Sequence, residues 1–179
     1  VAEHIKGERA PRIIGTGTTP TRGLRHGYIT NIEQATKTIE KALREAEKNS
    51  GIQIKRVFAT VGGIGLESVT SLGSAVISKA DGEVTQLDIQ KAIQVAEDNL
   101  EIKNRRILHR LPVGFKLDGK TLPGRPERVK GMKLEIKVLF ITCFEQHLED
   151  LLTAISDAGV EVVDVVASPL AAGDVALPD

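Results

Sequence analysis

Apolar residues recur every three or four positions in three segments of the chain, and this spacing predicts three amphipathic helices. The first helix begins at Asn31 and ends at Gly51. The second begins at Thr85, with Asp88 completing a capping signal, and the third ends near Gly159. Glu, Asp and Lys side chains occupy the opposite sides, which is typical of helices that pack one face against a core.

Two kinds of strand pattern separate the helices. Residues 54–61 and 160–167 are dense in Val, Ile and Phe and predict central strands covered on both faces. Residues 113–117 and 132–138 alternate between polar and apolar, which predicts peripheral antiparallel strands with one exposed face. Because the second of these continues into the apolar stretch 139–141, we expect one long strand to leave a half-exposed sheet and enter a buried one.

These patterns predict an α/β fold in which a small module is inserted into a host domain. Residues 1–62 and 141–179 give the order β-β-α-β and then α-β-(α), which favours a parallel-rich layered sheet. Residues 63–140 give the order β-α-β-β and form the inserted α+β unit. Within it, residues 121–131 form a long irregular segment rich in Pro, Gly, Arg and Lys.

Composition and charge exclude some classes of function but do not define one. The 179 residues carry 24 Lys and Arg against 24 Asp and Glu, so no overall field attracts nucleic acid or an anionic membrane. The single cysteine, Cys143, forms no internal disulfide, which favours a cytoplasmic location. No apolar run approaches the ~18 residues of a membrane span. We therefore expect no nucleic-acid partner and no direct membrane contact from these residues.

The glycine-rich stretches resemble nucleotide motifs but lack essential parts of them. Residues 15–17 lack the third glycine of a dinucleotide fingerprint, and residues 62–65 lack the Lys-Ser/Thr of a P-loop, so we interpret the latter as a flexible crossing between the two parts. The four histidines are dispersed, and Cys143 has no base or resolving cysteine that the sequence reveals. We predict no catalytic residue and no metal ligand in this chain.

Basic residues cluster on the inserted unit. Because Phe115 is the one aromatic near them, a protein contact through a loop and an exposed sheet edge is favoured over a nucleic-acid platform. The predicted interaction residues are Arg106, Lys120, Arg125, Arg128 and Lys130.

Several short motifs follow one another along the chain: Ile14-Gly15-Thr16-Gly17, Pro20-Thr21-Arg22-Gly23-Leu24-Arg25-His26-Gly27, Val61-Gly62-Gly63, Ile107-Leu108-His109 with Pro112, and Ile141-Thr142-Cys143. In this order they resemble the bacterial cell-division family FtsA. The resemblance covers essentially the whole chain and is more specific than any single motif.

The resemblance implies a partial actin-like, ribonuclease H-like subdomain 1A at residues 1–62 and 141–179. Residues 63–140 would be the family's inserted strand-helix-strand-strand subdomain 1C, which is implicated in filament contacts and partner binding. Members of this family are actin-like ATPases that polymerise, anchor FtsZ to the membrane through a C-terminal amphipathic helix and signal to later division proteins. The implied partners are therefore FtsZ, other divisome proteins and further copies of the chain. The parent protein would lie on the inner face of the cell membrane at the division site.

The family's two phosphate loops would lie before Val1 and after Asp179. We therefore expect the chain to be a piece of a longer protein. The piece by itself should neither hold ATP tightly nor hydrolyse it, whereas the longer parent protein would bind ATP and Mg²⁺. Ser168 and Ala171 resemble the segment that faces the phosphates and would form an incomplete half-site. Residues 125–130 are longer and more basic than the family's loop, and residues 173–178 look less helical.

Two other interpretations remain open. The chain could belong to another actin-like ATPase, such as a pilus-assembly relative that shares the fold. It could also be a free-standing scaffold without an ATPase parent.

Overall fold

The computed structural model describes residues 1–7 and 10–176, with side chains described as far as residue 173. The chain divides into two compact units. The first contains Val1–Gly65 and Glu145–Asp179, and the second contains Leu66–Phe144. The second unit begins and ends a few residues later than the sequence pattern suggests.

The first unit contains a parallel strand pair covered by helices. Its β5 and β10 pair in parallel from Arg56↔Glu161 to Val61↔Ala167, so their carboxyl ends meet at one edge. Two short antiparallel hairpins, β1–β2 and β3–β4, precede the first helix. The elements of this unit are β1 (Ala2–Glu3), β2 (Arg12–Ile13), β3 (Leu24–Arg25), β4 (Tyr28–Ile29), α1 (Ile32–Ser50), β5 (Arg56–Val61), α3 (Glu145–Asp157), β10 (Glu161–Ala167) and α4 (Ser168–Ala176).

The predicted ends of α1 are confirmed by its caps. The Asn31 side chain accepts a hydrogen bond from the Gln34 backbone N–H at 2.8 Å, and Gly51 ends the helix in the left-handed conformation at φ 71°. The region of residues 173–178, which looked less helical, lies in α4 as far as Ala176. Residues 177 and 178 lie outside the described residues.

The prediction that β5 and β10 are covered on both faces is wrong for the described residues. One face packs on α1 and α3 through a core of Ala59, Ile155 and Val160. On β5 and β10, by contrast, Phe58 is 71% exposed and Val163 is 48% exposed. The described elements cover only one face, and a dense apolar sequence does not reveal whether a covering layer is present.

The second unit is a four-stranded antiparallel sheet with one helix on one face. The strand order is β6-β9-β7-β8. Four alternate residues of the central strand, from Leu134 to Phe140, are fully buried against the helix side. This unit has the predicted strand-helix-strand-strand order with one short additional strand; its elements are β6 (Glu67–Val76), α2 (Gln86–Asp98), β7 (Arg105–Leu117), β8 (Lys120–Leu122) and β9 (Lys133–Phe144).

The alternating pattern correctly predicts antiparallel strands with one exposed face, but the peripheral position assigned to β9 is wrong. This strand lies at the centre of its sheet, between β6 and β7. It also does not leave that sheet near residue 141, because Thr142, Cys143 and Phe144 pair with Ile107, Arg106 and Arg105. Alternation records which face of a strand is buried and carries no information on the position of the strand within the sheet.

Candidate functional site

The carboxyl ends of β5 and β10 form the first candidate site. Chain segments that follow these ends meet at one edge of the sheet, which is where α/β proteins bind ligands. After Val61 the chain continues into Gly62 and Gly63, and after Ala167 it enters α4 at Ser168. A Cβ placed on Gly62 would lie 3.0 Å from Ser168 Oγ, so the two segments are in direct contact.

The crossing at residues 62–65, predicted to be flexible, packs closely against the β3–β4 turn. Gly63 has φ +93°, and a Cβ there would lie 2.5 Å from the His26 carbonyl oxygen. A Cβ on Gly27 would lie 2.8 Å from the Gly62 carbonyl oxygen. Glycines are therefore needed here for close backbone approach.

Ser168 and Ala171 lie on the first turn of α4, and both are partly buried. A helix N-terminus presents backbone N–H groups that can bind an anion. The part of the chain that the structure describes contains no group of His, Cys, Asp and Glu residues able to hold a metal ion. These residues therefore do not fit a complete Mg²⁺-nucleotide site.

The glycines of residues 15–17 serve helix packing. A Cβ on Gly17 would lie 2.0 Å from the Ala42 carbonyl oxygen of α1, and one on Gly15 would lie 2.7 Å from Ser50. The resemblance of this stretch to a phosphate loop therefore has a packing explanation.

A buried histidine in the first unit was not singled out from the sequence. His147 of α3 is 6% exposed, and its ring centroid lies 4.7 Å from that of Tyr28. Its Nδ1 is buried without a hydrogen-bond partner among the described residues. Burial lowers the pKa of His147, while Asp150 opposes this effect. Burial thus favours the neutral form of His147, and only its position on the apolar side of α3 could have indicated its burial.

The basic segment at residues 121–131 is anchored by buried and hydrogen-bonded residues. Pro126 is fully buried. The Arg128 backbone N–H donates to the Val84 carbonyl at 3.2 Å, and the Val84 N–H donates to the Val129 carbonyl at 2.9 Å. Lys130 forms an isolated bridge with Glu83. The segment therefore presents its exposed basic side chains from a defined backbone.

Arg125 lies at the rim of a groove of about 450 Å³ within the second unit. Its floor comes from Ile89 and Ile93 of α2 and from Phe115 of β7. The register of β7 shifts between Pro112 and Gly114, so the strand is irregular beside this groove. Glu127 lines the same groove. An apolar floor beside these two charges can receive a partner side chain, and Arg125 can orient an acidic neighbour of it.

The five predicted interaction residues do not form one cluster. Lys120 begins β8 and pairs with Leu117, while Arg125, Arg128 and Lys130 follow on the same segment. Arg106 lies at the opposite end of β7 from Leu117, roughly 35 Å away along the strand. Four of the residues therefore belong to one region, and Arg106 belongs to another.

Cys143 is fully buried in β9. Burial raises the pKa of its thiol, although the charges of Arg105 and Arg106 oppose this shift. A buried thiol with a raised pKa is a poor nucleophile. Among the described residues, no helix is long and apolar enough to cross a membrane.

The fold is a partial actin-like α/β unit into which a strand-helix-strand-strand module is inserted. Residues 63–142 match the family model for the SHS2 domain inserted in FtsA. In structure, the chain resembles one from the PilM–PilN type IV pilus biogenesis complex, with a TM-score of 0.62 over 97% of this chain and 45% of that chain. The sequence identity to this chain is 15%, so the likeness concerns the fold alone.

The curated relatives are cell-division proteins named FtsA. The chain is 30% identical to FtsA of Pseudomonas aeruginosa over 89% of its length, 29% identical to that of Bacillus subtilis over 92%, and 27% identical to that of Escherichia coli K12 over 89%. It spans 38%, 38% and 37% of their lengths. Most of the chain is therefore similar in sequence to FtsA, and residues 63–142 match the domain inserted in FtsA, which confirms the resemblance and the fold class predicted from the sequence.

Proposed function

We propose that the chain acts in bacterial cell division as the interaction and polymerisation part of an FtsA-like protein. The whole protein would anchor FtsZ to the membrane and connect it to later divisome proteins. The observation that carries this proposal is the match of residues 63–142 to the SHS2 domain inserted in FtsA, together with homology on both sides of it.

The second unit supplies the surface for partner binding in this proposal. Its groove has an apolar floor, and its rim carries Arg125 on a segment anchored by Pro126. Arg128, Lys130 and Lys120 extend the basic surface around this segment. We favour a protein partner with acidic and apolar side chains, because Phe115 alone would not provide a stacking platform for nucleic acid.

The strand ends of the first unit would contribute half of a nucleotide site. Ser168 and Ala171, both on the first turn of α4, would face the phosphates. In a complete site, ATP and Mg²⁺ would supply the energy and the charge neutralisation of phosphoryl transfer. The residues present here lack a carboxylate cluster for the metal within the described ranges, so we expect this chain by itself to be inactive as an ATPase.

The proposed location follows from the proposed role. The whole protein would be cytoplasmic and peripheral to the inner face of the cell membrane at the division site. The residues of this chain would make no direct membrane contact and would bind no nucleic acid.

Calorimetry with Mg-ATP and pull-down with FtsZ test the proposal. We expect weak or no ATP binding by this chain and tight binding by a version extended at both ends to include the phosphate loops. We also expect the extended version to retain FtsZ. Tight Mg-ATP binding by the short chain would contradict the half-site, and loss of FtsZ binding by the extended version would contradict the division role.

A pilus-assembly role is the second candidate, because the similar solved chain comes from a pilus biogenesis complex. It predicts that the extended protein retains a pilus protein in the same pull-down and does not retain FtsZ. Sequence homology to the cell-division relatives favours the first candidate.

A further inference from the structure

The outer edge of β6 is the longest regular strand edge that the described part of the second unit leaves open. This strand ends the sheet, and its ten residues pair with β9 from Glu67↔Thr142 to Val76↔Lys133 without a register shift. The Ile77 N–H donates to the Met132 carbonyl on the β9 side. By alternation, the backbone groups of the even-numbered residues point outward. Asn99 Nδ2 confirms this direction, because it donates to the Leu72 carbonyl at 3.1 Å. This carbonyl therefore already accepts one hydrogen bond and has one further lone pair for the N–H of a partner strand.

The other side of this sheet is protected in ways that β6 lacks. The register of β7 shifts twice, and the strand contains Pro112 and three arginines. Such bulges, prolines and charges prevent edge-to-edge pairing. On β6, Glu67 is the single charged residue, and no proline or bulge interrupts the strand. An edge left regular and uncharged is suited to accept another strand.

A flank of α2 extends the same open surface. Leu87, Lys91 and Val95 follow one another at four-residue spacing, and Val95 lines a groove with Leu72 and Asn99. Leu87 is 54% exposed and Val95 is 39% exposed. On the opposite flank of α2, Glu97 pairs with Arg110 of β7. An exposed apolar strip of α2 therefore runs beside the edge of β6 on the helix side. A Cβ on Gly73 would point into α2, so the side chains of Leu72 and Val76, which are 67% and 76% exposed, lie along the same edge on the opposite face of the sheet.

We propose that this surface, the β6 edge with the adjoining flank of α2, is an interface between two copies of the chain. The two β6 strands would pair antiparallel about a two-fold axis at Leu72. This inference rests on the self-association included in the proposed function and assigns a surface to it. The outcome would be one continuous eight-stranded sheet with two adjacent helices on one face.

The pattern of residues along the edge is complementary to itself under this symmetry. An axis at Leu72 pairs Thr70 with Ser74 of the other copy and Ser68 with Val76. The hydroxyls of Thr70 and Ser74 therefore face one another, and the exposed leucines meet at the centre. Glu67 lies at the end of the strand, so no like charges face each other across the paired edges.

The charges on α2 are also complementary in this arrangement. Lys91 lies N-terminal to Val95 and Asp98 lies C-terminal to it, and both are exposed. Antiparallel helices packed near Val95 bring Lys91 of one copy toward Asp98 of the other. This complementarity favours a second copy over an unrelated strand, for which the two opposite charges would have no fixed counterpart.

Sedimentation equilibrium of the purified chain tests the interface. We expect a concentration-dependent dimer whose Kd rises at least about tenfold in Leu72→Glu, because two carboxylates then meet at the axis. Within each copy, position 72 faces Lys137 on β9, so this substitution has an opposite charge beside it. The matched control is Val163→Glu on β10 of the first unit, where the side chain is 48% exposed, and it should leave the Kd unchanged.

A charge exchange on the exposed flank of α2 provides a second test that does not alter the sheet. Lys91→Asp should weaken the dimer, and the double variant Lys91→Asp/Asp98→Lys should restore it. A monomer at every concentration, or equal dimerisation of Leu72→Glu, Lys91→Asp and the unaltered chain, would overturn the β6 interface. Dimerisation could instead persist in the Leu72 and Lys91 variants and be lost when the charges of Arg125 and Arg128 are reversed. That result would overturn the β6 interface but would still support self-association of the chain. FtsZ binding of the extended protein is measured separately, so failure of the proposed division role is distinguishable from failure of the β6 interface.

Discussion

Asp88 Oδ2 accepts hydrogen bonds from both the backbone N–H of Thr85, at 2.9 Å, and the Thr85 hydroxyl, at 2.6 Å. Its other carboxylate oxygen accepts from the backbone N–H and hydroxyl of Ser78, at 3.1 and 2.8 Å. The fully buried carboxylate thus caps α2 and joins its start to the segment that follows β6. Burial alone would raise the pKa of Asp88, but these four hydrogen bonds lower it to about 2.

Replacing Asp88 by Asn should lower the free energy of unfolding by about 2 kcal/mol, because an amide nitrogen cannot accept two of these hydrogen bonds. Urea denaturation followed by circular dichroism measures this loss. Asp157→Asn is the matched control at an exposed position at the end of α3, and it should change stability by no more than about 0.5 kcal/mol. An equal effect of the two substitutions would contradict the capping role of Asp88.

The lowered pKa of Asp88 predicts a loss of stability in acid. Its ordinary pKa is 3.8, so the unfolded chain binds the proton first as the pH falls. The stabilisation by the carboxylate is complete above about pH 4 and is lost as the pH falls through 2. Unfolding free energies measured from pH 5 to pH 2 should therefore decline less steeply in Asp88→Asn than in the unaltered chain.

His147 should make the first unit less stable below about pH 6.5. Burial lowers its pKa from the ordinary value of 6.5, so the unfolded state binds a proton first on acidification. Its contribution is complete above pH 6.5 and is lost as the pH falls toward the pKa of the folded state. His147→Phe should reduce the loss of stability on acidification, and its ring should preserve the contact with Tyr28. The control His4→Gln, at an exposed position, should leave this loss of stability unchanged. Thermal unfolding at pH 7.5 and 5.5 measures the difference.

Gly73 allows α2 to lie directly on β6. A Cβ at this position would lie 1.9 Å from the Ala92 carbonyl oxygen and 2.5 Å from the Ala96 nitrogen, both of which are helix backbone atoms. Gly73→Ala should therefore destabilise the second unit by about 3 kcal/mol or more, since helix and strand must separate. Gly124→Ala has open space around it and should have little effect. Chemical denaturation that gave equal midpoints for the two variants would contradict this packing.

Reversing charge at the groove rim should impair partner binding without unfolding the chain. Arg125→Glu/Arg128→Glu is expected to weaken binding by roughly tenfold or more if the partner is acidic. The control Lys41→Glu/Lys48→Glu makes the same change in net charge at exposed positions of α1. Pull-down and self-association of the extended protein provide the readout, and equal binding by both double variants would remove residues 121–131 from the interface.

The sequence by itself determined the local elements whose signals lie within a few residues. Asn31, Thr85 and Gly51 mark helix ends because a cap needs only neighbouring backbone groups. Alternation in residues 132–138 showed which side of β9 is buried, because side-chain direction repeats every two residues. The ordered motifs also indicated the family, which the homology to FtsA confirmed.

Only the tertiary structure decided what surrounds these elements. It placed β9 at the centre of its sheet, left Phe58 exposed among the described residues, and separated Arg106 from the basic segment. It also showed that Gly17 and Gly63 permit close backbone contacts, so these glycines have a packing role that a phosphate-loop pattern does not reveal. Sheet order, coverage of a face and contacts between distant segments depend on residues far apart in the chain, and no local pattern specifies them.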